Sequence, residues 1–215
     1  MRLILLGAPG SGKGTQAVKI SKKLNIPHIS TGDIIRDNIR NETEFGKKSK
    51  ALIQKGMLVT DDIAIEIIKE RLIEDDCANG FILDGFPRTI CQAEILDKII
   101  SKLGHKVDKV IYIYVADEQI IKRISGRRVC LKCNKSYHLI FNPTKDEGLC
   151  DECKIKVIQR DDDTEEIVRN RLITFHQQTE PLIKFYEKTN KLVTVSGEVT
   201  IKETTFEIFK VLGIN

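Results

Sequence analysis

The sequence predicts an α/β fold, a doubly wound five-stranded parallel sheet with helices on both faces. Three observations predict it. Short apolar runs alternate with amphipathic stretches along most of the 215 residues. The runs are rich in Ile, Leu and Val and show little polar alternation, the pattern of strands covered on both faces. The first run leads directly into a glycine-rich turn that opens a helix.

The strand-like runs are Arg2–Leu6, Pro27–Ile29, Phe81–Leu83, Val110–Val115 and Leu192–Val195. A helix over Lys13–Leu24 follows the first. The segment Asp61–Glu74 places Ile63, Ile67, Ile68 and Leu72 on one face and acids in its first turn, where the helix dipole favours them. Thr89–Leu103 and Asp117–Ser125 read as further helices. A long helix is expected from about Thr164 to Lys188, capped by Asp163 with Glu166 and kinked or interrupted by Pro181. The last helix lies near Ile201–Leu212. Two regions break the rhythm. Residues 30–59 are helical without a strand, and residues 126–163 hold cysteines, Pro143, Gly148 and short polar stretches. Both read as insertions on a core made of residues 1–29, 60–125 and 164–215.

Composition excludes several classes. The net charge of +4 is too mild to indicate a nucleic-acid binder by itself. No stretch approaches the roughly 18 apolar residues that span a bilayer. Met1–Leu6 is too short for a signal peptide and runs straight into the glycine turn. A cytoplasmic protein is therefore expected, with reduced thiols. Nothing argues against a monomer. Of the six cysteines, Cys77 and Cys91 stand alone and are expected in the core.

The turn after the first strand is Gly7-Ala8-Pro9-Gly10-Ser11-Gly12-Lys13-Gly14-Thr15. It matches G-x-x-x-x-G-K, with a glycine inserted before the hydroxyl residue. Backbone N–H groups reach phosphate oxygens only where no Cβ intervenes, and a helix N-terminus adds positive potential. Lys13 supplies a mobile cation. Further on, the apolar run Phe81-Ile82-Leu83 ends in Asp84, a carboxylate placed to hold Mg²⁺, often through water. Arg123, Arg127, Arg160 and Arg171 offer guanidinium groups, which stay charged and present forked donors to phosphate.

Four cysteines form C-x2-C-x16-C-x2-C: Cys130, Cys133, Cys150 and Cys153. Two close thiolate pairs across a short loop suit one tetrahedral zinc ion with no open position, hence a structural site. The 38 residues of 126–163 hold few large apolar groups, and segments of this size usually need a metal or disulfides.

Several motifs occur together and in order: GAPGSGKGT, Ser30-Thr31-Gly32-Asp33-Ile34-Ile35-Arg36, Asp84-Gly85-Phe86-Pro87-Arg88 with Gln92 four residues later, Gly126-Arg127-Arg128, the lid cysteines, Arg160-Asp161-Asp162-Asp163 and Arg169-Asn170-Arg171. Through them the chain resembles the adenylate kinases, among the nucleoside monophosphate kinases, from residue 1 to about 212. The resemblance implies a P-loop NTPase core, a helical monophosphate-binding insertion at 30–59 and a zinc-stapled lid at 126–163. It implies phosphoryl transfer from Mg-ATP to AMP, with ADP as product. It places ATP on Gly10, Ser11, Gly12, Lys13, Gly14, Thr15, Arg123 and Arg127, with further contacts at Ser136, Tyr137 and Val199. It places AMP on Thr31, Arg36, the backbone of Met57, Leu58 and Val59, then Gly85, Phe86, Pro87, Arg88, Gln92, Arg160 and Arg171. Lys13, Asp84, Arg88, Arg123, Arg127, Arg160 and Arg171 form the catalytic set. Asp33 joins Asp84 as a residue expected to orient metal-bound water. A kinase for UMP or CMP is the nearest alternative, opposed by Gln92 and the long lid. A zinc-ribbon nucleic-acid binder with an idle phosphate loop is the alternative from another class.

Overall fold

The computed structural model describes residues 1–214. Five parallel strands form the central sheet: β1 (Arg2–Leu6), β2 (His28–Ser30), β3 (Phe81–Asp84), β4 (Lys109–Tyr114) and β7 (Leu192–Ser196), in the order β2-β3-β1-β4-β7. The register pairs Ile4 with Leu83 and with Val110. Side chains alternate across β1, so Ile4 and Leu6 enter one core layer and Leu3 and Leu5 the other. The first layer packs beneath α4 (Asp61–Leu72), α5 (Ile90–Lys102) and α8 (Pro181–Glu187), with Ile68, Leu96 and Tyr186 all buried. The second packs beneath α1 (Lys13–Leu24) and α9 (Ile201–Leu212), through Ile20 and Ile208. Each fully buried aliphatic side chain contributes about 1.5–3 kcal/mol. The doubly wound parallel sheet expected from the sequence is thus present, each strand within one residue of its expected bounds.

Residues 30–59 hold α2 (Thr31–Arg40) and α3 (Glu44–Gln54). The two helices touch closely, since a Cβ on Gly46 would stand 2.1 Å from the Asn38 carbonyl oxygen. After α6 (Asp117–Ser125) the chain leaves the core through a hairpin, β5 (Arg127–Val129) against β6 (Ser136–His138). The pattern of this stretch gave no strand. Three-residue strands are too short to show a period, and the bridging turn is set by the cysteines.

Two expectations, the cap of the long helix and the burial of Cys91, need correction. The cap of α7 (Glu165–Thr174) is Thr164, whose hydroxyl accepts from the Ile167 N–H at 3.4 Å. Asp163 is drawn away by Arg127, to which its carboxylate is paired. The long helix is interrupted ahead of Pro181, the second of the two outcomes expected there. It passes from α7 into a π turn over Phe175–Thr179, and Pro181 opens α8, where its missing N–H costs nothing. Cys91 is exposed, because Gln92, Ala93, Leu96 and Ile100 form the buried face of α5. Cys77 is buried as expected, with its thiol on Arg71.

Candidate active site

The phosphate loop joins β1 to α1 at the carboxyl edge of the sheet. Gly10 and Gly12 have φ of 83° and 98°, a region that side chains with a Cβ rarely enter. Gly12 caps α1 without any side-chain hydrogen bond. The first helical bond runs from the Gln16 N–H to Gly12 O, so the amides of Lys13, Gly14 and Thr15 have no partner within the helix. These are the donors an anion would meet. The Lys13 ammonium donates to Gly7 O at 2.7 Å and Ala8 O at 2.8 Å. Burial, aided by Arg88, Arg171 and Arg127 and opposed by Asp84, brings Lys13 down to about 8.

Asp84 ends β3 beside this loop. A Cβ on Gly14 would lie 3.4 Å from its Oδ2, in ordinary contact, so the start of α1 runs directly alongside the carboxylate. His28 reaches the same oxygen at 3.2 Å. Burial opposes the charge of Asp84, yet the His28 hydrogen bond with Lys13 and Arg88 holds it below the usual carboxylate range.

Arginines converge from separate parts of the chain. Arg36 of α2 and Arg160 of the lid share Asp33, at 2.6 and 3.2 Å. Arg127 forms a two-pronged pair with buried Asp163. Arg171 of α7 binds Asp162 at 2.9 Å. Arg88 donates through Nε to Gly85 O at 2.8 Å. Four of these five guanidinium groups thus pair with three aspartates and Arg88 meets a backbone carbonyl, an excess of positive charge in a buried place. Burial and mutual repulsion bring Arg160 down to about 9 and Arg171 to about 10. A bound polyphosphate would relieve that repulsion. Arg123 stands apart from the cluster's aspartates and donates to Gly197 O at 2.8 Å, two residues before Val199. Asp33 is engaged by two arginines, both on Oδ1, so it holds guanidinium groups in place.

A pocket beside the cluster is lined by Thr31, Gly32, Ile35, Arg36, Ile53, Gly56, Met57, Leu58, Val59, Ala64, Gly85, Arg88, Gln92, Asp162 and Arg171. Most were legible in the motifs. Phe86 and Pro87 are not among the lining; the Phe86 ring is buried in the core, where it supports the loop from behind. Gly32, Ile35, Ile53, Ala64 and Asp162 were missed. Asp162 sits in a run of three aspartates whose spacing cannot say which one turns inward.

The remaining donor-side positions divide. Ser136 begins β6 and Val199 is 42% exposed after β7. Tyr137 is buried; its hydroxyl accepts from the Asp151 N–H at 2.8 Å and lies 3.3 Å from Cys150 Sγ. Its ring is therefore packed into the cysteine cluster.

The four cysteine sulfurs lie within 4.8 Å of one another. Cys133 and Cys150 are 3.7 Å apart, close to the roughly 3.8 Å edge of a tetrahedron with Zn–S bonds of about 2.3 Å. The two C-x2-C turns are built alike. Asn134 N–H donates to Cys130 O and Lys154 N–H to Cys150 O, both at 2.9 Å, and both residues have φ of 56°. Although burial opposes it, hydrogen bonds from the Tyr137 hydroxyl and backbone amides bring Cys150 down to about 6. The donor set fits a tetrahedral thiophilic ion. Among the described residues no helix is long and apolar enough to cross a membrane.

The family model described as adenylate kinase matches residues 5–191. A protein of Acetivibrio thermocellus named adenylate kinase is 58% identical over 213 residues, 99% of this chain and 98% of its own length. One of Caldicellulosiruptor saccharolyticus with the same name is 56% identical over 214 residues, covering all of both chains. Another, of Methanothrix thermoacetophila, is 53% identical over 99% of each chain. With its phosphate loop, arginine cluster and matching length, the chain belongs to the adenylate kinase family.

Proposed function

We infer that this chain carries out the reversible ATP:AMP phosphoryl transfer of its family through the site described above. The observation that carries the reading is the convergence of Lys13, Arg36, Arg88, Arg127, Arg160 and Arg171 between the phosphate loop and the pocket. The amides of Gly10–Thr15 and the Lys13 ammonium hold the donor phosphates, with Arg123 and Arg127 over them. Ser136 and Tyr137, through their backbone, and Val199 flank the donor base. Thr31, the Met57–Val59 strip, Gly85 and Gln92 receive the acceptor nucleoside, and Phe86 and Pro87 shape its wall. Arg36 and Arg88 take the acceptor phosphate. Arg160 and Arg171 bridge donor and acceptor as charge moves between them.

Such a transfer needs alignment and positive charge rather than a tuned base, because the attacking phosphate oxygen already carries no proton. The family uses Mg-nucleotide. Asp84 is the residue that would hold Mg²⁺, through water, and the bound ion supplies charge neutralisation on the phosphate chain. Contacts between insertion and lid favour exclusion of water. Arg160 pairs with Asp33, Arg40 donates to Leu131 O, and Asn134 Nδ2 is 3.4 Å from Asp37. Zinc is the proposed occupant of the four-cysteine cluster, as a staple remote from the chemistry.

An acceptor panel tests the reading. ADP release from ATP with AMP, UMP, CMP and GMP is expected to favour AMP by about a hundredfold or more in kcat/KM. Preference for UMP or CMP would overturn it.

Lys13 gives a pH test. Its free-state value of about 8, held down first by burial, should rise once a phosphate anion lies beside it. Between the two values binding takes up a proton, so affinity for ATP falls as pH rises above about 8, by up to tenfold per unit. Below about 8 the ammonium is already charged and contributes no pH dependence. Calorimetric titration near pH 8.5 in two buffers of different ionisation enthalpy should reveal the uptake; no uptake would remove Lys13 from the donor site.

A further inference from the structure

One carboxylate outside the phosphate cluster controls the side chain read above as facing the acceptor base. Asp61 opens α4 directly after the Met57–Thr60 strip. Its Oδ1 accepts from Gln92 Nε2 at 2.7 Å, and the Thr89 hydroxyl donates to its two oxygens at 3.3 and 3.2 Å. On the opposite side the Arg88 backbone N–H donates to Gln92 Oε1 at 2.7 Å. An ionised carboxylate can only accept, and a backbone N–H can only donate. The two partners therefore assign the amide independently and agree. Nitrogen faces α4 and oxygen faces Arg88. Gln92 is 2% exposed, so water cannot take the place of either partner. A flipped amide would set oxygen against carboxylate and N–H against N–H, two repulsions in a poorly solvated place.

The locked amide keeps one oxygen lone pair and one N–H unused. Adenine offers the complement, a 6-amino donor beside an unprotonated ring nitrogen. Hypoxanthine has nearly the same outline with the order reversed, a 6-oxo acceptor beside a ring N–H. A glutamine free to turn over would serve both. We propose that Asp61 is a specificity-determining positioning residue, which fixes the orientation of the Gln92 amide so that the acceptor pocket takes a 6-amino purine monophosphate and rejects a 6-oxo one. The proposal rests on the reading of Gln92 as the residue that meets the acceptor base.

Asp61 also ties the starts of α4 and α5 together through Thr89, which caps α5. A purely structural tie would affect all acceptors alike, whereas orientation control acts on the ratio between two of them. The test compares kcat/KM for AMP and IMP, which differ only on the edge in question, in wild type, Asp61→Asn, Gln92→Leu and the double variant. The introduced asparagine would keep the shape of the native side chain but could turn its own amide to donate to a flipped glutamine, so the substitution removes one of the two constraints and leaves the Arg88 N–H to oppose the flip alone. Asp61→Asn is expected to lower the AMP:IMP ratio about tenfold, the worth of one hydrogen bond, with the loss for AMP in KM rather than kcat. In the Gln92→Leu background it should change the ratio no further. Asp61→Ala gives the same readout should the Asn variant fold poorly. Equal scaling of AMP and IMP by Asp61→Asn, or an effect that persists without Gln92, would overturn the role of Asp61. A wild-type ratio in Gln92→Leu alone would instead locate the failure in the assignment of Gln92, and the proposal would fall with it.

Discussion

Lys13→Met is expected to lower kcat by about a thousandfold or more while the melting temperature at pH 7 stays level or rises. The loss follows from the place of the ammonium. It is poised on the carbonyls of Gly7 and Ala8, beside the amides that would hold the phosphates. Removing one preorganised charged donor from a site of this kind costs about 10²–10³ in rate, and more where the charge follows the transferring group. The stability result runs the other way because Lys13 is half-buried among other cations and its value is depressed. Between about 8 and 10.5 the folded protein binds fewer protons than the unfolded chain. The charged lysine is therefore a cost to folding, fully present below about 8 and removed as pH rises toward 10.5. Methionine keeps the methylene stem and discards that cost. Initial rates with calorimetric melting on one preparation check both halves. A wild-type rate would remove Lys13 from the chemistry, and a large fall in melting temperature would make its role structural.

Cys150→Ser should reduce bound zinc from about one ion per chain to a small fraction and lower the melting temperature by about 10 °C. Cys150 and Cys130 are the two fully buried ligand candidates. Cys150 touches Tyr137 and lies 3.7 Å from Cys133. Its apolar surroundings are thin, with Tyr137, Val157 and the cysteines making the whole cluster. Metal binding in so small a core is folding free energy, several kcal/mol of it, and in a chain of this length each kcal/mol moves melting by about 2–4 °C. Since no catalytic candidate is one of the four cysteines, rates well below the new transition should stay within about tenfold of wild type. Metal analysis, melting and low-temperature rates on one sample decide it. Full zinc in the variant would refute the ligand set, and a lost rate with intact folding would give the ion more than a structural role.

The two results probe parts of the chain that were unequally visible in sequence. The phosphate loop was legible to the residue, because amide access to an anion demands glycine at fixed offsets from a lysine. The cysteine cluster was legible because a tetrahedral ion demands two close pairs. Apolar runs such as Arg2–Leu6 were legible because both faces of a central strand are covered. What stayed hidden depended on competition between distant groups. Thr164 caps α7 only because Arg127, far back in the chain, claims Asp163. Asp33 read as a metal-water residue, and nothing near it in sequence shows that Arg36 and Arg160 both bond its Oδ1. Cys91 passed for a core residue because the buried face of α5 is set by what packs on it. Tyr137 is turned toward Cys150, a choice its neighbours in sequence do not express.

By itself, then, the order of residues determined the parallel sheet, the phosphate loop, the metal-binding spacing and the family, since each follows from local geometry or from a motif that chemistry requires. Only the tertiary structure decided which aspartate meets which arginine, which side of Gln92 faces the acceptor pocket, and where the long C-terminal helix breaks. Those outcomes are contests for a single partner among residues up to 127 positions apart, as between Asp33 and Arg160, and proximity in space settles them.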